Sequence, residues 1–263
     1  MSERSGILRS MRTLLRTTTN PAFYADQLRL ELGGHPERLE RALSAPDSVD
    51  LLTWNVFASL DTHRDREYLG YRLQTLGGAS VRSPVRLALW TGRDREPRLV
   101  PPPGYVTTVH ERARAAGGDA TSLGDFAAPI EAPVRIETPE VLILVDTMLD
   151  TYPLGGGGRD RMTELVDVGL DHARRLGKTL AVAVVYDSGT AAAARVSARL
   201  QQLRDPAVLA AALPHRPRVP QVVLREVGWQ QLVKIWDAEA PHLHLGGQPV
   251  NRFRQYLERL GLR

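Results

Sequence analysis

The side chains in this chain best placed for chemistry are carboxylates at strand ends. Residues 130–149, IEAPVRIETPEVLILVDTML, read as two strands around a tight Thr138-Pro139 turn, with Glu131, Glu137 and Asp146 at or near their ends. Carboxylates so placed can converge on a ligand or cation. They can also do no more than accept hydrogen bonds from backbone donors, and Glu137-Thr138-Pro139-Glu140 can be simply a polar hairpin turn. Asp146 has the stronger case, because it follows the apolar run VLILV. Side chains two apart on a strand share a face, so Met148 shares one with Asp146.

Other motifs carry weaker signals. Asp187-Ser188-Gly189-Thr190 follows an apolar run, as ligand-binding loops do in open α/β sheets, although a plain turn is the simpler reading. With Asp146 it defines one functional alternative, a small-molecule- or phosphate-binding α/β enzyme using Asp146 and Asp187 at strand ends. The glycine run 155–158 lies where backbone N–H groups can cradle phosphate, but no Gly-Lys-Ser/Thr follows and a dinucleotide-type glycine pattern fails at Arg161. His242 and His244 could face one way in a strand, without a third zinc ligand nearby. Ser122 and Ser188 lack the Gly-x-Ser-x-Gly elbow of a serine hydrolase. Trp54, Trp90, Trp229 and Trp236 sit in apolar patterns, which favours core packing over base stacking.

These residues need elements to hold them. The run 141–145 is wholly apolar, as in a central strand covered on both faces. Residues 160–176 read as a helix closed by Gly177, and 180–186 as another buried strand. Apolar strand, helix and apolar strand in succession argue for an α/β layer. Upstream, Ser48 and Asp50 open a buried helix through Leu60, residues 67–76 form a second, and 85–91 are strand-like. Residues 101–104, PPPG, read as a break, with a helix over 110–116 and a loop over 117–125. Downstream come helices over 191–203 and 206–213, a strand candidate over 222–224, and helices over 228–236 and 251–260. Residues 1–48 read as a helical lead-in, in which Arg9, Arg12 and Arg16 share one face.

This order of elements, with the placing of Glu137 and Asp146, resembles the core of the PD-(D/E)XK nuclease superfamily. The segments LLTWNVFASL, VRLALWT, EAPVRIE, VLILVDTML, RDRMTELVDVGLDHARRLG and LAVAVVY follow its αβββαβ order over residues 50–236. The resemblance implies an α/β fold with a restriction-endonuclease-like core, a mixed central sheet and added helices at both ends. It divides the chain into a helical extension (1–48), the α/β domain (49–240) and a C-terminal loop and helix (241–263).

In such nucleases carboxylates at adjacent strand positions hold Mg²⁺, which polarises the phosphate and activates a water, while a lysine orients that water. Carried onto this chain, Asp146 fits the (D/E) position, Thr147 the variable one, and Met148 stands where the lysine belongs. Pro133 or Glu131 falls near the first aspartate, Glu137 is a shifted substitute, and Asp50 can stand in for the acid of the first helix. The implied catalytic set is Asp146, Glu137, Glu131 and Asp50. Asp146 and Glu137 would hold Mg²⁺ if the chain cleaves, and Arg135, Arg159 and Arg161 would contact nucleic acid. Only Lys178 and Lys234 could supply a lysine, and both are distant in sequence from Met148. The resemblance therefore implies a catalytically compromised member, of prokaryotic DNA processing or phage defence, that binds nucleic acid or serves as a structural subunit.

Composition bounds this reading. The 263 residues, 43% hydrophobic and 24% charged, can bury a sizeable core. A net charge of +4 and a pI near 9.7 favour an acidic partner, DNA above all, and a partner protein subunit is the other candidate. The absence of cysteine excludes disulfides, thiolate metal sites and cysteine nucleophiles. No apolar run approaches the roughly 20 residues of a membrane helix, so a cytoplasmic protein without a membrane partner is expected.

Overall fold

A computed structural model describes residues 20–78, 84–115, 117, 126–149 and 160–263. The lead-in over residues 1–19, Ser122, the glycine run 155–158 and Arg159 lie outside the described residues. The chain divides into two compact units, one running to His63 and resuming over Gln230–Arg263, the other Arg64–Trp229.

The first unit is helical. It contains α1 (Ala25–Leu32), α2 (Pro36–Ser44) and α3 (Val49–Thr53), which continues as a π-helical turn over Trp54–Ala58. The expected cap is present: Ser48 accepts a hydrogen bond from the Leu51 N–H at 3.2 Å. Buried Asn55 accepts from the Phe23 N–H at 2.8 Å and donates to the Pro21 carbonyl at 2.7 Å. The Trp54 indole donates to the Phe23 carbonyl, and the Trp236 indole to the Ser59 hydroxyl. Phe23, Trp236 and Phe253 close an aromatic cluster, with Trp236 and Phe253 edge to face at 4.8 Å.

The second unit is α/β and holds the carboxylate hairpin. In chain order it has α4 (Arg66–Arg72), α5 (Gln74–Gly77), β1 (Arg86–Thr91), α6 (Pro103–Ala115), β2 (Ala132–Glu137), β3 (Val141–Thr147), α7 (Arg161–Leu176), β4 (Thr179–Tyr186), α8 (Ala191–Arg204), α9 (Pro206–Ala212) and β5 (Val222–Gly228). After it come α10 (Trp229–Glu239) and α11 (Gly247–Arg259). One open sheet of order β1-β2-β3-β4-β5 is antiparallel through β3 and parallel from β3 to β5. The fold is thus α/β with a mixed five-stranded sheet and flanking helices.

Thr138 builds the β2–β3 turn. Its hydroxyl accepts from the Val141 and Glu140 N–H groups, and its own N–H donates to the Val141 carbonyl. β3 and β4 are apolar because both faces are covered. Leu142, Leu144, Leu180 and Val182 meet α7 and α8, while Ile143, Val145, Ala181 and Ala183, equally buried, face the other way. Contact with α7 is close at Gly169, where an added Cβ would lie 2.8 Å from the Leu180 side chain. Gly177 ends α7 at φ 67°, the left-handed conformation its position in sequence predicts. The four tryptophans are buried, as expected of core residues.

Three local expectations change. The helix expected over 110–116 begins at Pro103, because proline is tolerated in the first turn, where its missing N–H has no partner to lose. β5 runs to Gly228, beyond the expected 222–224, because ladder bonds to β4 carry it through Arg225 and Glu226. His242 and His244 lie in a short 3₁₀ helix and the turn after it rather than a strand. Among the described residues no cluster of three or more metal-binding side chains occurs, and no helix is long and apolar enough to cross a membrane.

Candidate functional site

The hairpin register decides which carboxylates can meet. Glu137 pairs with Leu142 at the turn, and Val134 with Val145, which sets Pro133 across from Asp146. Glu137 and Asp146 share a face but stand four β3 positions apart, about 13 Å at strand spacing. One Mg²⁺ ion cannot be held by both, because carboxylate oxygens must come within about 2.1 Å of it. The donor set inferred from the family pattern is therefore not assembled.

At the far end of the hairpin Asp146 is buried and ion-paired. Arg161, the first residue of α7, points its Nε at one Asp146 oxygen (3.3 Å) and its Nη2 at the other (3.4 Å). The same guanidinium donates to the Glu131 backbone carbonyl. Asp160 sets the start of this helix: it accepts from the Met162 N–H at 3.1 Å and is itself held by Arg199 at 2.5 Å. Met148, in the lysine position, packs into the core, and its carbonyl accepts from the Trp229 indole at 2.7 Å. Arg161, Asp146, Glu131 and Met148 thus gather at the C-terminal end of β3, with arginine as their cation.

The turn end has a different character. Glu137 binds the ammonium of Lys178 and the guanidinium of Arg135. Burial pushes the Glu137 carboxyl up, but the two cations outweigh it and hold it below the usual carboxylate value. Lys178 arrives because β3 and β4 are parallel and in step, with Val141 beside Thr179. Glu137, Lys178, Arg66 and Arg86 line an open pocket of about 510 Å³, together with the exposed Pro84 and Pro139. Nearby His172 is held below its ordinary value by burial and by the charges of Arg135 and Arg175.

The remaining candidates are placed as follows. Asp50 belongs to the helical unit and forms a two-pronged pair with Arg38 at 2.7 and 2.8 Å. Arg135 is engaged by Glu137 and Arg161 by Asp146. Asp187 closes a turn, accepting from the Gly189 N–H at 2.9 Å. Beside it the Tyr186 hydroxyl donates to Glu226 at 3.1 Å, and burial together with that carboxylate pushes its pKa up to about 12.

One cluster escaped the sequence reading. Asp167, fully buried on α7, meets His215 Nε2 at 3.1 Å and the Arg216 guanidinium, which also donates to the Asp167 carbonyl at 2.7 Å. Burial raises the Asp167 carboxyl above its usual value against the pull of both partners. The imidazole lies edge-on to Tyr105, so the cluster braces α7 to α6 and to the loop after α9. Only Asp167 interrupting the apolar run Leu165, Val166, Val168 and Leu170 hinted at it.

Comparison with known proteins finds no family model, no curated protein and no solved structure that matches the chain.

Proposed function

We propose that the α/β unit is a nuclease-like scaffold of the PD-(D/E)XK kind that does not cleave, and that it binds nucleic acid, DNA first, in prokaryotic DNA processing or phage defence. The observation that carries this reading is the Asp146–Arg161 pair. At the position of a catalytic acid on β3, the partner is an arginine from α7, the residue across the ladder is Pro133, and the residue two further on is buried Met148. Arginine stays protonated and is a poor proton-transfer group, so this set lacks both a second metal ligand and a lysine to orient water. The β1–β2–β3 meander followed by a helix and a parallel β4 also supports a scaffold of this kind.

The test pairs a cleavage assay with a binding assay. Supercoiled, linear and single-stranded DNA should stay intact with Mg²⁺ or Mn²⁺. Labelled DNA should bind with an affinity that falls steeply as salt rises, as counterion release requires. Cleavage by the wild type that Asp146→Ala abolishes would overturn the non-cleaving reading. Binding undetectable at low salt would overturn the nucleic-acid reading and leave a role as a structural subunit.

A further inference from the structure

The pocket at the hairpin turn lies at the opposite end of β3 from Asp146, and its chemistry is distinct. Its charged walls come from separate elements: Arg66 opens α4, Arg86 opens β1, Glu137 ends β2, and Lys178 immediately precedes β4. Three cations against one carboxylate leave the lining two positive charges in excess. The arrangement is held in place from behind. Arg66 Nε donates to the Val85 carbonyl at 2.8 Å, which fixes its guanidinium along the wall. Glu137 is ionised, because Lys178 and Arg135 hold its pKa down, and it holds the lysine in the lining. Arg86 pairs across the ladder with Glu137, so its side chain shares that face of the sheet.

A monovalent anion would leave such a lining unbalanced. A phosphate monoester carries about 1.5 to 2 negative charges at neutral pH, and an arginine fork matches its oxygens. The volume, about 510 Å³, exceeds what a bare phosphate needs and falls in the range of sites that hold a nucleoside-sized group. Pro84 and Pro139, both exposed, offer that group an apolar wall. We propose that this pocket is a phosphate-monoester site, taking either a free nucleoside monophosphate or the phosphorylated end of a nucleic-acid strand. The proposal does not depend on the nuclease-like reading, because no residue of the Asp146 cluster takes part.

The experiment measures binding of inorganic phosphate and adenosine monophosphate by calorimetry at low salt in a phosphate-free buffer. In parallel, labelled oligonucleotides that differ only in a 5′-phosphate or 5′-hydroxyl are titrated by anisotropy. Saturable binding of the mononucleotide identifies a free nucleotide as ligand. A preference of about tenfold or more for the 5′-phosphorylated strand, with weak mononucleotide binding, identifies the strand end. Two variants probe the pocket in opposite directions. Arg86→Gln removes one cation at an exposed strand start and should weaken phosphate binding about tenfold. Glu137→Gln removes the one anion and should tighten it severalfold, a gain that loss of folding cannot mimic. Phosphate, mononucleotide and both oligonucleotide ends binding indistinguishably or not at all, or the two variants leaving phosphate affinity unchanged, would overturn the proposal.

Discussion

Replacing Arg161 with glutamine tests whether the Asp146 ion pair is a structural bond or an accidental contact. Asp146 is 8% exposed, and its oxygens stand 3.3 and 3.4 Å from the guanidinium. At that separation two unit charges attract by about 5 kcal/mol in an effective dielectric of about 20, before desolvation is subtracted. Removing one partner of a buried pair costs about 3–5 kcal/mol, because the other charge is left uncompensated. These hydrogen bonds are long and the carboxylate keeps some access to water, so about 3 kcal/mol, the lower end, is the expectation for Arg161→Gln. Asp146→Asn should cost less, about 1–2 kcal/mol, since Arg161 retains its bond to the Glu131 carbonyl. The double variant should then fall short of additivity by about 1.5 kcal/mol. Native-state hydrogen exchange at the β3 amides reads the α/β unit by itself and avoids assuming one transition for a chain of two units. A loss below about 1 kcal/mol for Arg161→Gln, or strict additivity, would refute the pair as the organising contact at this end of β3.

The other expectations concern the same sheet. His172 is held below its ordinary pKa of 6.5, so the unfolded chain takes up its proton first as pH falls; stability is full above about pH 6.5 and declines below it. His172→Gln should flatten that decline in urea midpoints measured from pH 5 to 8, and an unchanged profile would exclude His172 as its source. Gly169→Ala should destabilise by about 1 kcal/mol, because the new methyl would crowd the buried Leu180 and Leu144 side chains at 2.8–3.0 Å while gaining roughly 1 kcal/mol of helix propensity. Stabilisation in a urea melt would show that the core yields at that point.

Much of the sheet was legible because its signals are local. The VLILV run and the apolar stretch before Tyr186 each dictate a covered strand, and Gly177 marks the helix end between them. Thr138-Pro139 fixed the turn, and counting back from it already separates the two acids: Glu137 adjoins the turn, while Asp146 pairs level with Pro133. Closeness in sequence suggested a shared ion that the ladder geometry does not permit. The partners of these acids were harder to see, because each pairing crosses a long stretch of chain. Lys178 meets Glu137 from 41 residues away and His215 meets Asp167 from 48, through strand register in one case and a proline-broken loop in the other. A usable signal did exist for Lys178. It stands just before the apolar run of β4 as Glu140 stands before that of β3, and parallel strands that begin together bring it level with Glu140, at the turn end of the hairpin where Glu137 also lies.

Charge balance connects these placements to function. A divalent ion is retained where carboxylates outnumber nearby cations, since its charge must be offset by its ligands. Here the acids proposed to hold it each have an internal cation: Arg161 for Asp146, and Lys178 with Arg135 for Glu137. Asp50 likewise has Arg38. Seating Mg²⁺ at Asp146 would require displacing Arg161, which would also release the Glu131 carbonyl from its donor. At the turn end the imbalance runs the other way, and surplus positive charge surrounds the one carboxylate. An arginine on Asp146 disfavours a metal ion there, and the cation-rich pocket at the turn is where the proposed phosphate would be held. The two ends can be separated by experiment: Arg161→Gln should leave phosphate binding at the turn pocket unchanged, and Arg86→Gln should leave hydrogen exchange around Asp146 unchanged.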